Sequence, residues 1–168
     1  MTDAQNPYQS PQAELTHEAT GLPLAARGSR FGAALIDGLI LLCVTIPISY
    51  LLGVYDGLME GVQPGFGQQA LGSLVGIVVF LAINGHFLKN YGQTVGKRVL
   101  KLAIVDLQGN KPEWITMYLK RYLLWGLVAY IPIIGGLILL ANYLFIFRAD
   151  RRCLHDLTAS TRVVQLPN

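Results

Sequence analysis

The stretch RGSRFGAALIDGLILLCVTIPISYLLG, from Arg27 to Gly53, decides how this chain is read. From Phe31 onward it is almost wholly apolar. At about 1.5 Å rise per residue, residues 31–53 are long enough to cross a hydrocarbon core of about 30 Å. Yet Asp37 lies inside the run, and Arg30 stands at its entrance. Insertion scales charge about 2.5–3.5 kcal/mol for a carboxylate at the centre of a membrane helix. Such a group must face other helices and must have a partner. Arg30 shares its helix face but lies two turns and about 10 Å away, too far to pair directly. Arg121, in a later apolar segment, is the better partner, because a bidentate arginine–carboxylate pair offsets part of the burial cost. Two roles stay open for Asp37. It is an ion, proton or substrate contact, or it anchors an ion pair that packs helices.

Composition supports a membrane setting. The chain has 168 residues, 52% of them hydrophobic and 14% charged. Soluble domains carry about 25% charged residues. No basic stripe with interleaved aromatics is present, so nucleic-acid binding is not expected. The two cysteines, Cys43 and Cys153, lie in an apolar run and a basic tail and form no CxxC pair. Residues 1–26 are polar and Pro-containing, without the apolar core of a signal peptide, and read as a disordered cytoplasmic tail. Residues 27–166 form the membrane domain.

A second span is expected at about residues 70–88, with Gly72, Ser73, Gly76 and Ala82 suited to close helix packing. The segment KNYGQTVGKRVLKLAIVDLQGNKPEW is basic and broken by Gly and Pro. Within it Val99, Lys101, Ala103 and Val105 roughly alternate with Leu100, Leu102 and Ile104, which predicts a short strand before the QGN turn. Thr161 to Leu166 is the strand expected to pair with it. The apolar region from Ile115 to Phe147 is too long for one ordinary span, and IPIIGG breaks its middle at Pro132, Gly135 and Gly136. It is either one Pro-kinked span, which would leave Arg148, Arg151, Arg152 and Arg162 outside, or a hairpin of two short helices, at about residues 113–131 and 133–148, which places all thirteen Lys and Arg on one side, as cytoplasmic loops require. The expected fold is therefore an all-α membrane protein. It has four transmembrane helices, the last two a short Pro/Gly hairpin, and a short cytoplasmic strand-like segment. Both termini are cytoplasmic.

Other polar groups invite two readings each. Asn84 and His86 in the second span, and Asn142 with Tyr143 in the fourth, either line a polar path with Asp37 or hydrogen-bond between helices. GQTVGKR has three residues between its glycines and Arg after Lys, so it is no Walker phosphate loop. It reads as a turn carrying basic residues toward lipid headgroups. His155-Asp156 lacks the further ligands of a metal site. Asp156 is expected instead to pair with an arginine or to cap backbone amides. No metal, cofactor or enzymatic activity is expected, since no nucleophile–base pair is visible.

RFGAALIDGLI, GQTVGKRVLKLAIVDLQGNKP and LHDLTASTRVV occur in the order found in the RDD family of bacterial membrane proteins, which this chain resembles. That family is named for one arginine and two aspartates. Arg30 and Asp37 match the first two, and Asp156 the third. Ser160-Thr161 departs from the family's usual Gly-Thr. The resemblance implies the bacterial inner membrane, and a proposed transport role that some members link to sodium/proton antiport. On that reading a small ion or solute is the partner, Asp37 titrates, and four short helices imply a homo-oligomer. The competing expectation is a non-transporting scaffold, assembly factor or lipid-interacting module, with a structural Arg–Asp pair and a basic surface for anionic headgroups.

Overall fold

The computed structural model describes residues 21–128 and 134–167. Two long helices dominate it. Helix α1 spans Arg27–Leu51 and α2 spans Phe66–Tyr91. Both are long and apolar enough to cross a membrane. Helix α1 begins before the expected Phe31, so Arg30 lies in its first turn rather than outside it. A soluble core helix would be mostly buried, whereas only 6% of the apolar window of α1 and 22% of that of α2 are buried. Phe31, Leu35, Leu39, Leu42 and Ile46 all face outward along α1. An apolar surface of that extent is a liability in water and is at home in lipid.

Helix α2 ends at Gly92, whose φ of 64° is left-handed and whose added Cβ would lie 2.7 Å from the Ile104 carbonyl oxygen. Only glycine allows the chain to stop there and fold back under the helices. A short helix α3, Val95–Val99, follows, where the sequence reading expected only a turn. Strand β1, Leu102–Asp106, then pairs antiparallel with β2, Thr161–Gln165, with Leu102 opposite Gln165 and Asp106 opposite Thr161. The fold is thus mostly helical with a two-stranded sheet, rather than all-α. The paired strands are those expected from the sequence. Their alternation is used on both faces: Leu102 and Ile104 pack with Ala33, Leu88 and Met117, while Ala103 and Val105 pack with Val164. Each such buried aliphatic side chain stabilises the fold by roughly 1.5–3 kcal/mol.

The expected boundary at residue 27 falls inside the structured region. Leu24 bridges Val164, the Ala25 amide donates to the Val163 carbonyl, and Ala25 is fully buried. The remaining tail, residues 1–20, lies outside the described residues.

The third apolar segment starts at Glu113, whose carboxylate accepts hydrogen bonds from the Ile115 and Thr116 amides. It runs as α4, Trp114–Tyr118, one wide π turn over Leu119–Leu123, and α5, Leu124–Val128. Helix α6, Ile134–Leu144, extends through a 3-10 turn to Phe147. Pro132 and the turn of the expected hairpin lie in residues 129–133, outside the described residues. The final helix, α7, Leu154–Thr158, leads into β2. The main core sits where the sheet meets α1, α2 and α4. That end is called the sheet end below.

Candidate functional site

Asp156 occupies the centre of the sheet end. Its side chain is fully buried and is the third residue of α7. Its Oδ2 accepts from Arg30 Nη2 at 2.5 Å and from the Cys153 amide at 2.9 Å. Its Oδ1 accepts from Arg121 Nη1. Arg121 also donates to Thr161 Oγ1 at 2.8 Å, and Arg30 to the Arg151 carbonyl. One carboxylate therefore ties α1, the third apolar segment, α7 and β2 together. The wide π turn carries Arg121 and belongs to the arrangement. It shifts the helix register locally, as such turns commonly do at specialised positions.

The electrostatics follow from this enclosure. Burial alone would raise the Asp156 carboxyl. Arg121 and Arg30 outweigh it and hold the group well below the usual carboxylate range. Burial, with Arg121 adding to it, brings the His155 imidazole down to about 3. Asn142, buried in α6, accepts from both the His155 amide and His155 Nδ1 at 2.9 Å, which places the ring proton on Nδ1. Burial pushes the Cys153 thiol up. Cys153, His155 and Asp156 converge with their ligand-type atoms within 4.8 Å. Two guanidiniums already hold the carboxylate, and their charge opposes a bound cation. The chemistry of this set is that of an ion cluster, not a metal centre.

Asp37 is held differently, and the pairing with Arg121 expected from the sequence is not what the structure shows. Its Oδ2 accepts from Thr94 Oγ1 at 2.5 Å and its Oδ1 from the Gly96 amide at 2.7 Å. Next to it, Asn84 Oδ1 accepts from the Val95 amide at 2.9 Å. Asp37 and Asn84 thus satisfy the free amides at the start of α3 and dock it against α1 and α2. Helix α3 packs against α1 and brings the Thr94 hydroxyl and the Gly96 amide to Asp37, while Arg121 is held by Asp156. Gly96 makes this approach possible. A Cβ there would lie 2.1 Å from the Ala33 carbonyl oxygen and 3.0 Å from Asp37 Cγ.

The expected polar path is not assembled either. Asn84 serves α3, Asn142 holds His155, and His86 is exposed beside the Phe87 and Tyr91 rings. Two residues along a helix are about 200° apart, so Asn84 and His86 face opposite ways. Thr94, Gly96 and Thr161 were not singled out from the sequence. The signal for Thr94 was its place as a hydroxyl residue directly before a short helical run. Gly96 and Thr161 stood within motifs already quoted, GQTVGKR and LHDLTASTRVV, but nothing local gave either a partner.

A cavity of about 1320 Å³ opens above both aspartate sites, between α1, α2 and the third and fourth apolar segments. Asp37, Thr94 and Lys97 line it from one side, and Arg30, Arg121, Asn142 and His155 from another. The rest of its wall is largely apolar.

A model of the RDD family matches residues 24–160. An uncharacterised protein of Haemophilus influenzae is 30% identical over 144 residues, covering 86% of this chain and 80% of its own. The uncharacterised protein YckC of Bacillus subtilis is 36% identical over 135 residues, covering 80% of each. No solved structure matches the chain significantly. The Arg30, Asp37 and Asp156 positions lie within the matched residues, and the chain belongs to the RDD family of membrane-associated proteins.

Proposed function

We propose that this chain is a non-catalytic, non-transporting module of the bacterial inner membrane. In it the arginine and aspartates form a latch between membrane helices and a cytoplasmic sheet. One observation carries the reading: all four oxygens of Asp37 and Asp156 already accept hydrogen bonds from the protein's own donors. A hydrogen bond to each oxygen stabilises the ionised carboxylate and lowers its affinity for a proton or cation, which favours a structural role over loading and release. The charge pattern supports four spans with both termini in the cytoplasm. A C-terminal reporter active only in the periplasm would overturn that topology.

The transport reading retains one observation in its favour, since Asp37 lines the large cavity and is half-buried rather than sealed. There it would move a small ion or solute, in an oligomer of this chain. Cation-dependent proton flux in proteoliposomes separates the two readings. The module reading expects no flux that depends on Asp37, and only a lower melting temperature for Asp37→Asn. Flux that vanishes in an Asp37→Asn protein that is still folded would establish transport instead.

A further inference from the structure

The cavity is apolar along its walls and basic at its sheet end. Leu35, Leu41, Ile77, Phe80, Leu127 and Leu139 contribute to the walls. Its charged lining consists of Arg27, Arg30, Lys97 and Arg121 against the single carboxylate of Asp37. Asp156, paired with Arg30 and Arg121, adds one more negative charge. Four cations thus face two anions, and the excess is positive.

Part of that excess resides on Arg27 and Lys97, and the Asp156 trio carries the rest. Arg27 donates to the carbonyl oxygens of Ile146 and Phe147 at 3.0 and 3.3 Å and lies over the Phe147 ring. Lys97 Nζ reaches Thr94 Oγ1 at 3.4 Å. Among the described residues neither is in an ion pair with a carboxylate. The Lys97 charge nevertheless bears on Cys153 and His155, which places it toward the ion cluster. A volume of about 1320 Å³ exceeds the roughly 300–1,000 Å³ of ordinary small-molecule pockets. Its shape of apolar walls over a cationic floor matches a phosphate carried on long hydrocarbon chains.

We propose that this cavity seats one anionic phospholipid of the leaflet at the sheet end, with its phosphate on Lys97 and Arg27 and its acyl chains along the apolar walls. Arg30 and Arg121 are positioning residues here. They hold Asp156 between them and keep the floor in shape. The proposal rests on the membrane-module reading and gives that module a ligand.

Native mass spectrometry of the full chain in detergent tests it, after delipidation. The added probes are phosphatidylglycerol, phosphatidylcholine of the same chain lengths, and inorganic phosphate. One retained phosphatidylglycerol, in preference to phosphatidylcholine, is the expected result. Arg27→Gln and Lys97→Gln should each weaken retention about fivefold, and Arg27→Lys should restore it, with circular dichroism showing each variant folded. Equal retention of the two lipids, or variants that bind as the parent does, would overturn the proposal. Displacement of the lipid by inorganic phosphate would overturn it too, in favour of a free-anion site. Failure of the module reading looks different: the chain would fractionate away from membranes, or Asp37-dependent flux would be measured, whatever the lipid result.

Discussion

Asp37 and Asp156 sit in the same apolar fold, within reach of the same cavity, and are satisfied by opposite means. Asp156 is enclosed by formal charge. Two guanidiniums from distant stretches of chain converge on it, and the trio carries a net positive charge. Asp37 is met by a hydroxyl and a backbone amide, both neutral, from the start of one short helix. The difference lies in what removal leaves behind. Without its carboxylate, the Asp156 site holds two buried cations with nothing between them. The Asp37 site would hold only two unpaired neutral donors. The first is a bond among elements, and the second a clasp on one element.

The sharpest way to break this comparison is to neutralise each aspartate in turn. Asp156→Asn should cost about 3–5 kcal/mol, the usual result of removing one partner of a buried ion pair. Unfolding in detergent, followed by circular dichroism, reads it. Replacing Arg121 by Met together with Asp156 by Asn should recover part of the loss, because one stranded cation goes with the anion. An Asp156→Asn protein as stable as the parent would remove the cluster from its structural role.

Acid probes the same site through His155. The imidazole titrates at its ordinary 6.5 in the unfolded chain and only at about 3 in the fold. The unfolded state therefore binds the proton first as pH drops. Stability is full above about pH 6.5 and falls through that window toward pH 3, by up to about 1.4 kcal/mol per unit. His155→Gln should flatten that slope. A slope unchanged in the variant would assign the acid sensitivity to other groups.

The Asp37 side of the comparison is tested by space and then by charge. Gly96→Ala forces a Cβ into the Ala33 carbonyl oxygen at 2.1 Å. Overpacking of this kind costs about 1–3 kcal/mol, and here it should lift α3 from α1. Faster amide exchange at Gly96 than in the parent would report it. Asp37→Asn should be milder, about 1–2 kcal/mol, since an amide oxygen still caps one donor. A loss as large as that at Asp156 would collapse the distinction between the two sites.

The sequence carried the elements better than the partners. The apolar runs marked α1 and α2, and the alternation about Leu102 to Val105 and Thr161 to Leu166 marked both strands and their pairing. Asp156 was legible as an arginine partner because a carboxylate beside a basic tail wants one. The partners of Asp37 were not legible. The sequence shows side-chain charges, and an amide donor at Gly96 has no letter of its own. Arg121 pairs with Asp156 rather than Asp37 from a wide turn that no residue pattern announces. Nor does helical spacing relate Arg30 to a residue 126 positions on, so its true partner emerged only from the tertiary fold.

The smallest effect lies at the corner between the latch and the sheet. Ser160 has a φ of 52°, a left-handed conformation, directly before the buried Thr161 that binds Arg121. A side chain in that region costs about 1 kcal/mol, and glycine removes the cost. Glycine would adopt this conformation without that cost, so Ser160 is a local strain that this chain carries. Ser160→Gly should stabilise the protein by somewhat less than 1 kcal/mol, because glycine also frees the unfolded chain. Combined with Asp156→Asn, the gain should persist unchanged if the turn forms without the latch. It should vanish if the latch is what holds Ser160 left-handed. The double variant thus tells whether the corner shapes the cluster or the cluster shapes the corner.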